Sequence, residues 1–190
     1  GSVYKSKDRP NSLNLIFTFG KHEVKYIDDC FSLIKNTFGL EASIIRQGPV
    51  VRLEIHSNVV GLLFEKLFGS GARKKKIPPI FFSLDNDRIL GILTGYIRGD
   101  GGKDLDCSTT SHSLAYQLFL LSYKAGFTPG LYWYIKNDSY IAGRLIRGKD
   151  YYVLTFRSSR NKDVLKKDIF GIKSKVPYIK NNYVKENNYI

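Results

Sequence analysis

The sequence contains no methionine in 190 residues, only two cysteines, three histidines and one tryptophan, and 17 acidic residues against 30 lysines and arginines. Cys30 and Cys107 lack the further thiols or closely spaced histidines of a zinc site, and they are too few for a disulfide framework. His22, His56 and His112 stand far apart and form no recognised triad. No uninterrupted apolar run approaches the roughly 18 residues of a bilayer span. The N-terminus, Gly1-Ser2-Val3-Tyr4-Lys5, has no signal-peptide core. These absences read as a soluble, intracellular protein with no membrane partner. The absence of methionine at position 1 is expected of a chain cut from something longer, or of a cloning remnant at Gly1-Ser2.

What is present is oily and basic. A hydrophobic share of 43% and an aromatic share of 14% can fill a sizeable core, which excludes general disorder. The net charge of +13 implies a polyanionic partner: nucleic acid, an anionic membrane or an acidic protein.

The hydrophobic spacing changes along the chain. Val3 to Phe19 reads as a hairpin, with Leu13, Leu15, Phe17 and Phe19 alternating along its second arm. Val24, Ile27, Phe31, Ile34 and Phe38 recur at three and four residues, so His22 to Phe38 is predicted helical, with Gly39 as a stop. Strands are expected at Glu41–Arg46 and Val50–His56, then a helix over Asn58–Phe68 capped by Ser57. After the linker-like stretch Ser70 to Pro79, a helix runs from Asp85 to about Gly99 and a strand from Asp106 to Ser111. A helix over Leu114–Lys124, strands at Leu131–Ile135, Tyr140–Ile146 and Tyr151–Arg157, and a helix over Asn161–Phe170 complete the pattern.

The two halves, residues 1–83 and 84–190, share one plan. Ser57 to Phe68-Gly69, lysines and Ile77-Pro78 are echoed by Ser159 to Phe170-Gly171, lysines and Val176-Pro177. A repeat of about 100 residues is too long for a solenoid unit and suits a duplicated domain with pseudo-twofold symmetry. In the second half the first hairpin is expected to be tighter and the second longer.

The helix joining the halves ends in Leu93-Thr94-Gly95-Tyr96-Ile97-Arg98-Gly99-Asp100-Gly101-Gly102. Gly91, Gly95 and Gly99 recur every four residues and make one face on which a second helix backbone can approach closely. Asp100 then falls at a helix C-terminus, where the partial negative charge disfavours a carboxylate unless a cation is near.

This segment, with Lys76-Ile77-Pro78 ahead of it and the Phe-Gly helix ends, resembles the LAGLIDADG (dodecapeptide) homing endonucleases of the intein-embedded kind, with Thr94 and Arg98 departing from the consensus. The resemblance covers nearly the whole chain. It implies a mixed α/β (α+β) duplicated αββαββα fold whose antiparallel sheets form a saddle over double-stranded DNA. It also implies Mg²⁺-dependent, site-specific phosphodiester hydrolysis, with Asp100 as one metal-binding catalytic acid and Gly101 beside it at the metal. The second acid would come from an equivalent helix ending where Gly1 stands, so the first motif helix is expected to be absent, leaving the chain to self-associate or be complemented in trans. No splicing residues close the chain at Asn187-Asn188-Tyr189-Ile190.

Lys5, Lys7, Arg9, Arg46, Arg52, Lys136, Arg144 and Arg147 lie on the predicted hairpins and are the candidate DNA contacts, to phosphates or to base edges in the major groove. Tyr132, Tyr134 and Tyr151 are placed to stack or bond to the backbone. Lys74-Lys75-Lys76 reads as a flexible linker along DNA and Asp104 and Asp106 as solvent-facing hairpin residues, while Arg52 and Lys149 are candidates by position for the basic side chain that the resemblance implies near the metals. A DNA-binding module without cleavage, or a regulator or RNA maturase on the same fold, is the alternative.

Overall fold

The structure, a computed structural model, describes residues 1–5, 12–102, 104–135, 137–141, 144–146, 148–159, 162, 163 and 165. The chain divides into two compact units, one over Gly1–Gly71 and one beginning at Ala72.

In the first unit, β1 (Ser2–Lys5), β2 (Leu13–Gly20), β3 (Ser43–Gln47) and β4 (Val50–His56) form an antiparallel sheet in the order β1-β2-β4-β3. Alternation decides what each strand buries. Leu15, Val51, Leu53 and Ile55 point to one face and pack with Ile27 and Ile34 of α1 (Val24–Phe38) and Val60 of α2 (Asn58–Phe68). Helix α1 begins two residues later than its period suggests and ends at Gly39 in the left-handed conformation (φ 65°). Ser57 caps α2 as expected, its hydroxyl accepting the Val60 N–H at 3.3 Å. Gly61 lets α2 approach β2, since a Cβ there would meet Leu13 Cβ at 2.6 Å.

The second unit opens with two short 3₁₀ turns, Ala72–Lys74 and Pro79–Ser83, then α3 (Asn86–Asp100), β5 (Asp106–Thr109) and α4 (His112–Lys124). Three more strands follow: β6 (Gly130–Tyr134), β7 (Ser139–Ile141) and β8 (Arg144–Ile146), before β9 (Tyr151–Thr155). The main sheet runs β5-β9-β6, antiparallel throughout, while β7 and β8 pair only with each other. The expected strand over Tyr140–Ile146 is therefore the tip of a long hairpin. Among the described residues a single strand, β5, with an isolated bridge from Cys107 to Gly101, stands where a tighter hairpin was expected. Ile89, Leu93 and Ile97 of α3 pack with Leu114, Leu118 and Leu121 of α4 and with Leu154 and Phe156. Helical residues reappear at Lys162, Asp163 and Leu165, and the rest of that expected helix lies outside the described residues. No helix among the described residues is long and apolar enough to cross a membrane.

Candidate nuclease site and nucleic-acid interface

Helix α3 carries the acid. Asp85 caps it by accepting the Arg88 N–H at 2.9 Å, and Ile89, Leu93, Thr94 and Ile97 bury one face. On the other face Gly91, Gly95 and Gly99 are exposed, and a Cβ built on any of them meets nothing within 4 Å among the described residues. Asp100 is the last helical residue. The chain leaves α3 so tightly that Gly101 admits no side chain: its N–H donates to Ile97 O at 2.8 Å, and a Cβ would lie 2.3 Å from that oxygen. Gly102 then donates to Asp106 O at 2.6 Å, joining the turn to β5.

Asp100 is half-exposed, and Lys75 Nζ lies 3.8 Å from its Oδ2. The Lys74-Lys75-Lys76 stretch was expected to be a flexible linker, and at Lys75 the structure corrects this. The Lys75 carbonyl accepts from Ser111 Oγ at 2.6 Å, Ile77 N–H donates to Gln117 Oε1 at 2.8 Å, and Ile77 is buried. Both anchors sit on α4 or its cap, so the ammonium is held beside the helix end that needs a cation. The Ile-Pro pair following the lysines was the local signal for this anchoring.

Asp104 and Asp106 also differ from expectation. Both carboxylates bond to Arg157 Nη2, at 3.0 and 2.6 Å, rather than facing solvent alone. Cys107, next along β5, is buried, and its thiol is pushed up to about 12, chiefly by burial and then by the charges of Asp106 and Asp100. Burial also pushes the Tyr96 hydroxyl above the ordinary phenol range, with Cys107 and Asp100 adding to the shift.

The candidate DNA contacts do not share one face. Cross-strand partners point the same way, so Arg52, opposite Thr18 and Ile45, lies on the open face of the first sheet, where Gln47 and Glu54 hold its guanidinium. Arg46 pairs with buried Val51 and so stands on the helix-packed face, exposed at the sheet edge. Lys5 pairs with Leu13 on that same face and bonds to Glu65 of α2 at 3.0 Å. Arg144 opposes Ile141 in the β7-β8 hairpin. Lys7, Arg9, Lys136 and Arg147 lie outside the described residues. Lys149 is exposed between β8 and β9. On the open face of the second sheet Tyr134 stacks on its partner Tyr151, ring centroids 5.3 Å apart and 17° between planes, and Tyr132 lies on the same face.

The homing endonuclease I-DmoI has this architecture. Its complex with DNA and Mn superposes with a TM-score of 0.60 at 14% identity, over 93% of this chain and 91% of that one. A set of its mesophilic variants gives a TM-score of 0.60 over 90% and 88%. A third structure, the G20S variant with its target DNA in the presence of Mg, gives 0.55 over 92% and 89%. The fold is that of a LAGLIDADG homing endonuclease. At this identity the likeness concerns architecture. No protein-family model matches the chain. Among curated sequences it is 35% identical over 117 residues to an uncharacterized protein of Methanocaldococcus jannaschii. It is 29% identical over 163 residues to a DNA polymerase of Thermococcus kodakarensis, and 35% over 102 residues to the ATP-dependent DNA helicase Hel308 of that organism. The alignments take in only 14%, 10% and 9% of those proteins' lengths.

Proposed function

We propose that the chain is a site-specific double-stranded DNA endonuclease of the LAGLIDADG kind, derived from an intein and dependent on Mg²⁺. The observation that carries the reading is Asp100, set at the end of a glycine-faced helix in a fold shared with a DNA-bound endonuclease. A polymerase and a helicase, different in their named activities, both contain a stretch similar to this chain, which is what an inserted element would leave.

Among the described residues no three acids, histidines or cysteines cluster to cage a metal. Mg²⁺ does not need such a cage, since it is commonly held by one or two carboxylates together with substrate phosphates. The half-exposed Asp100 carboxylate, whose ion-pair partner stands off at 3.8 Å, fits that donor set, with the Gly101 backbone beside it. When bound, the ion polarises the phosphate and lowers the pKa of a water. Asp100 would hold it, Lys75 would neutralise charge at the scissile phosphate, and the Gly91, Gly95 and Gly99 face would receive the helix bringing the second acid. The Tyr132, Tyr134 and Tyr151 face and Arg52 would meet the duplex. A lone carboxylate also fits a DNA-binding module that does not cut.

Incubating the chain with a plasmid library and Mg²⁺ tests the choice. Defined double-strand breaks are expected, reduced at least about 100-fold by Asp100→Asn, as loss of a metal-holding ligand demands. Binding without breaks selects the module, and breaks that persist in the variant remove Asp100 from the metal site.

A further inference from the structure

We propose that Arg157 is a phosphate-binding residue at the acid-bearing end of the second unit's sheet, pre-set for that contact by Asp104 and Asp106. The inference rests on the DNA-cleaving reading above and adds a residue to it. Asp106 opposes Thr155 in the β5-β9 ladder, and Arg157 follows two residues later. Asp106 and Thr155 therefore lie on the face opposite the buried Leu154, and Arg157, in the turn after β9, reaches that face through its bond to Asp106. That corner is where α3 delivers Asp100, since Gly102 N–H bonds the Asp106 carbonyl at 2.6 Å.

The corner is fixed by more than the ion pairs. Leu105, between the two acids, has φ 60°, a strained conformation for leucine. It is kept there by a side chain only 1% exposed, by its N–H to Gly102 O at 3.1 Å, and by Phe156 N–H bonding its carbonyl at 3.2 Å. Asp106 Oδ1 is buried without a hydrogen-bond partner among the described residues. Arg157 is thus the counterion of a part-buried carboxylate, and swinging it away would leave that charge uncompensated.

Both acid contacts fall on Nη2. Nε and Nη1 engage neither carboxylate, and the side chain is half-exposed. A guanidinium held at Nη2 keeps its Nε–H and Nη1–H donors in a set orientation, each able to donate singly to a phosphate oxygen. Lys162 Nζ, 3.0 Å from the Arg157 carbonyl, brings a second cation to the corner and balances its two acids.

The test is binding of the full chain to a fluorescent 30-base-pair duplex as NaCl rises from 50 to 200 mM. Arg157→Gln should flatten the log–log salt slope by about 0.9, the loss of one phosphate contact. The double variant Arg157→Gln with Asp106→Asn conserves net charge and removes the uncompensated acid. It should keep the flattened slope with a urea midpoint at or near wild type, and Arg157→Lys should restore the slope. A wild-type slope in either glutamine variant, with the fold intact by circular dichroism, overturns the assignment. Wild-type chain that binds no duplex overturns it together with the nuclease reading, whereas unchanged slope beside intact Asp100-dependent cleavage overturns Arg157 alone.

Discussion

Cys107 and Tyr96 flank the turn that carries Asp100, and both are held protonated chiefly by burial. An unfolded thiol ionises near pH 8.5 and a phenol near 10. The fold therefore keeps protons that the unfolded chain has already released. The stabilisation this gives is complete below about pH 8.5 and is lost as pH climbs toward about 12, where the folded Cys107 thiol itself ionises. Urea unfolding at a series of pH values should show a midpoint that declines above pH 8.5. Cys107→Ala and Tyr96→Phe should each flatten that decline while leaving the profile below pH 8 parallel to wild type. An alkaline limb equally steep in both variants would show that neither group is coupled to folding. Cys30 is shifted the same way, to about 11, by its partial burial, but it lies on α1 in the other unit and leaves the Asp100 turn untouched.

Among the elements, α4 has two tasks. Ser111, wholly buried, caps it by accepting the Leu114 N–H at 3.2 Å and donates to the Lys75 carbonyl at 2.6 Å. Ser111→Ala should cost roughly 2–3 kcal/mol, a lost cap plus a carbonyl left without its donor. Ser57→Ala, which removes a cap alone, should cost about 1 kcal/mol. Urea denaturation measures both, and only Ser111→Ala should also slow cleavage, because only it frees Lys75. Equal costs would mean that the Lys75 bond adds nothing. This contrast also marks what was legible in the sequence. The four long helices and the Ser57 cap follow from local spacing. The α3 motif, ending at Asp100, was readable for the same reason. Ser111 was read as the end of a strand because its second partner is far away in sequence. Lys75 looked like part of a solvated run because its anchors, Ser111 and Gln117, are contributed by another element. The single strand expected over Tyr140–Ile146 is instead two short strands, β7 and β8, that pair antiparallel with each other, which the strand-like alternation did not announce. The Arg157 clamp joins the turn after β9 to Asp104 and Asp106 at the start of β5, 53 and 51 residues earlier, and no local pattern announces it.

For the whole molecule, the ion pairs seen in each unit do not touch the charge surplus. Each pair takes one cation and one acid, so if all 17 acids were matched, 30 − 17 = 13 basic residues would still stand unmatched. Most such surface pairs contribute at most about 1 kcal/mol to stability, so ion pairing within the fold does not account for the excess, and the proposed DNA partner would. A polyanion with closely spaced charges gains most from it, because each neutralised phosphate releases condensed counterions. Six phosphate contacts would give a log–log salt slope of about −5 for duplex DNA. The chain should therefore bind a random-sequence duplex with a slope steeper than about −4, losing at least about 200-fold in affinity from 50 to 200 mM NaCl. Fluorescence anisotropy across that range measures it. A slope shallower than −2 would mean that few of the surplus cations reach the phosphates. Preferential binding to anionic lipid vesicles over duplex DNA at the same ionic strength would assign the charge to a different partner.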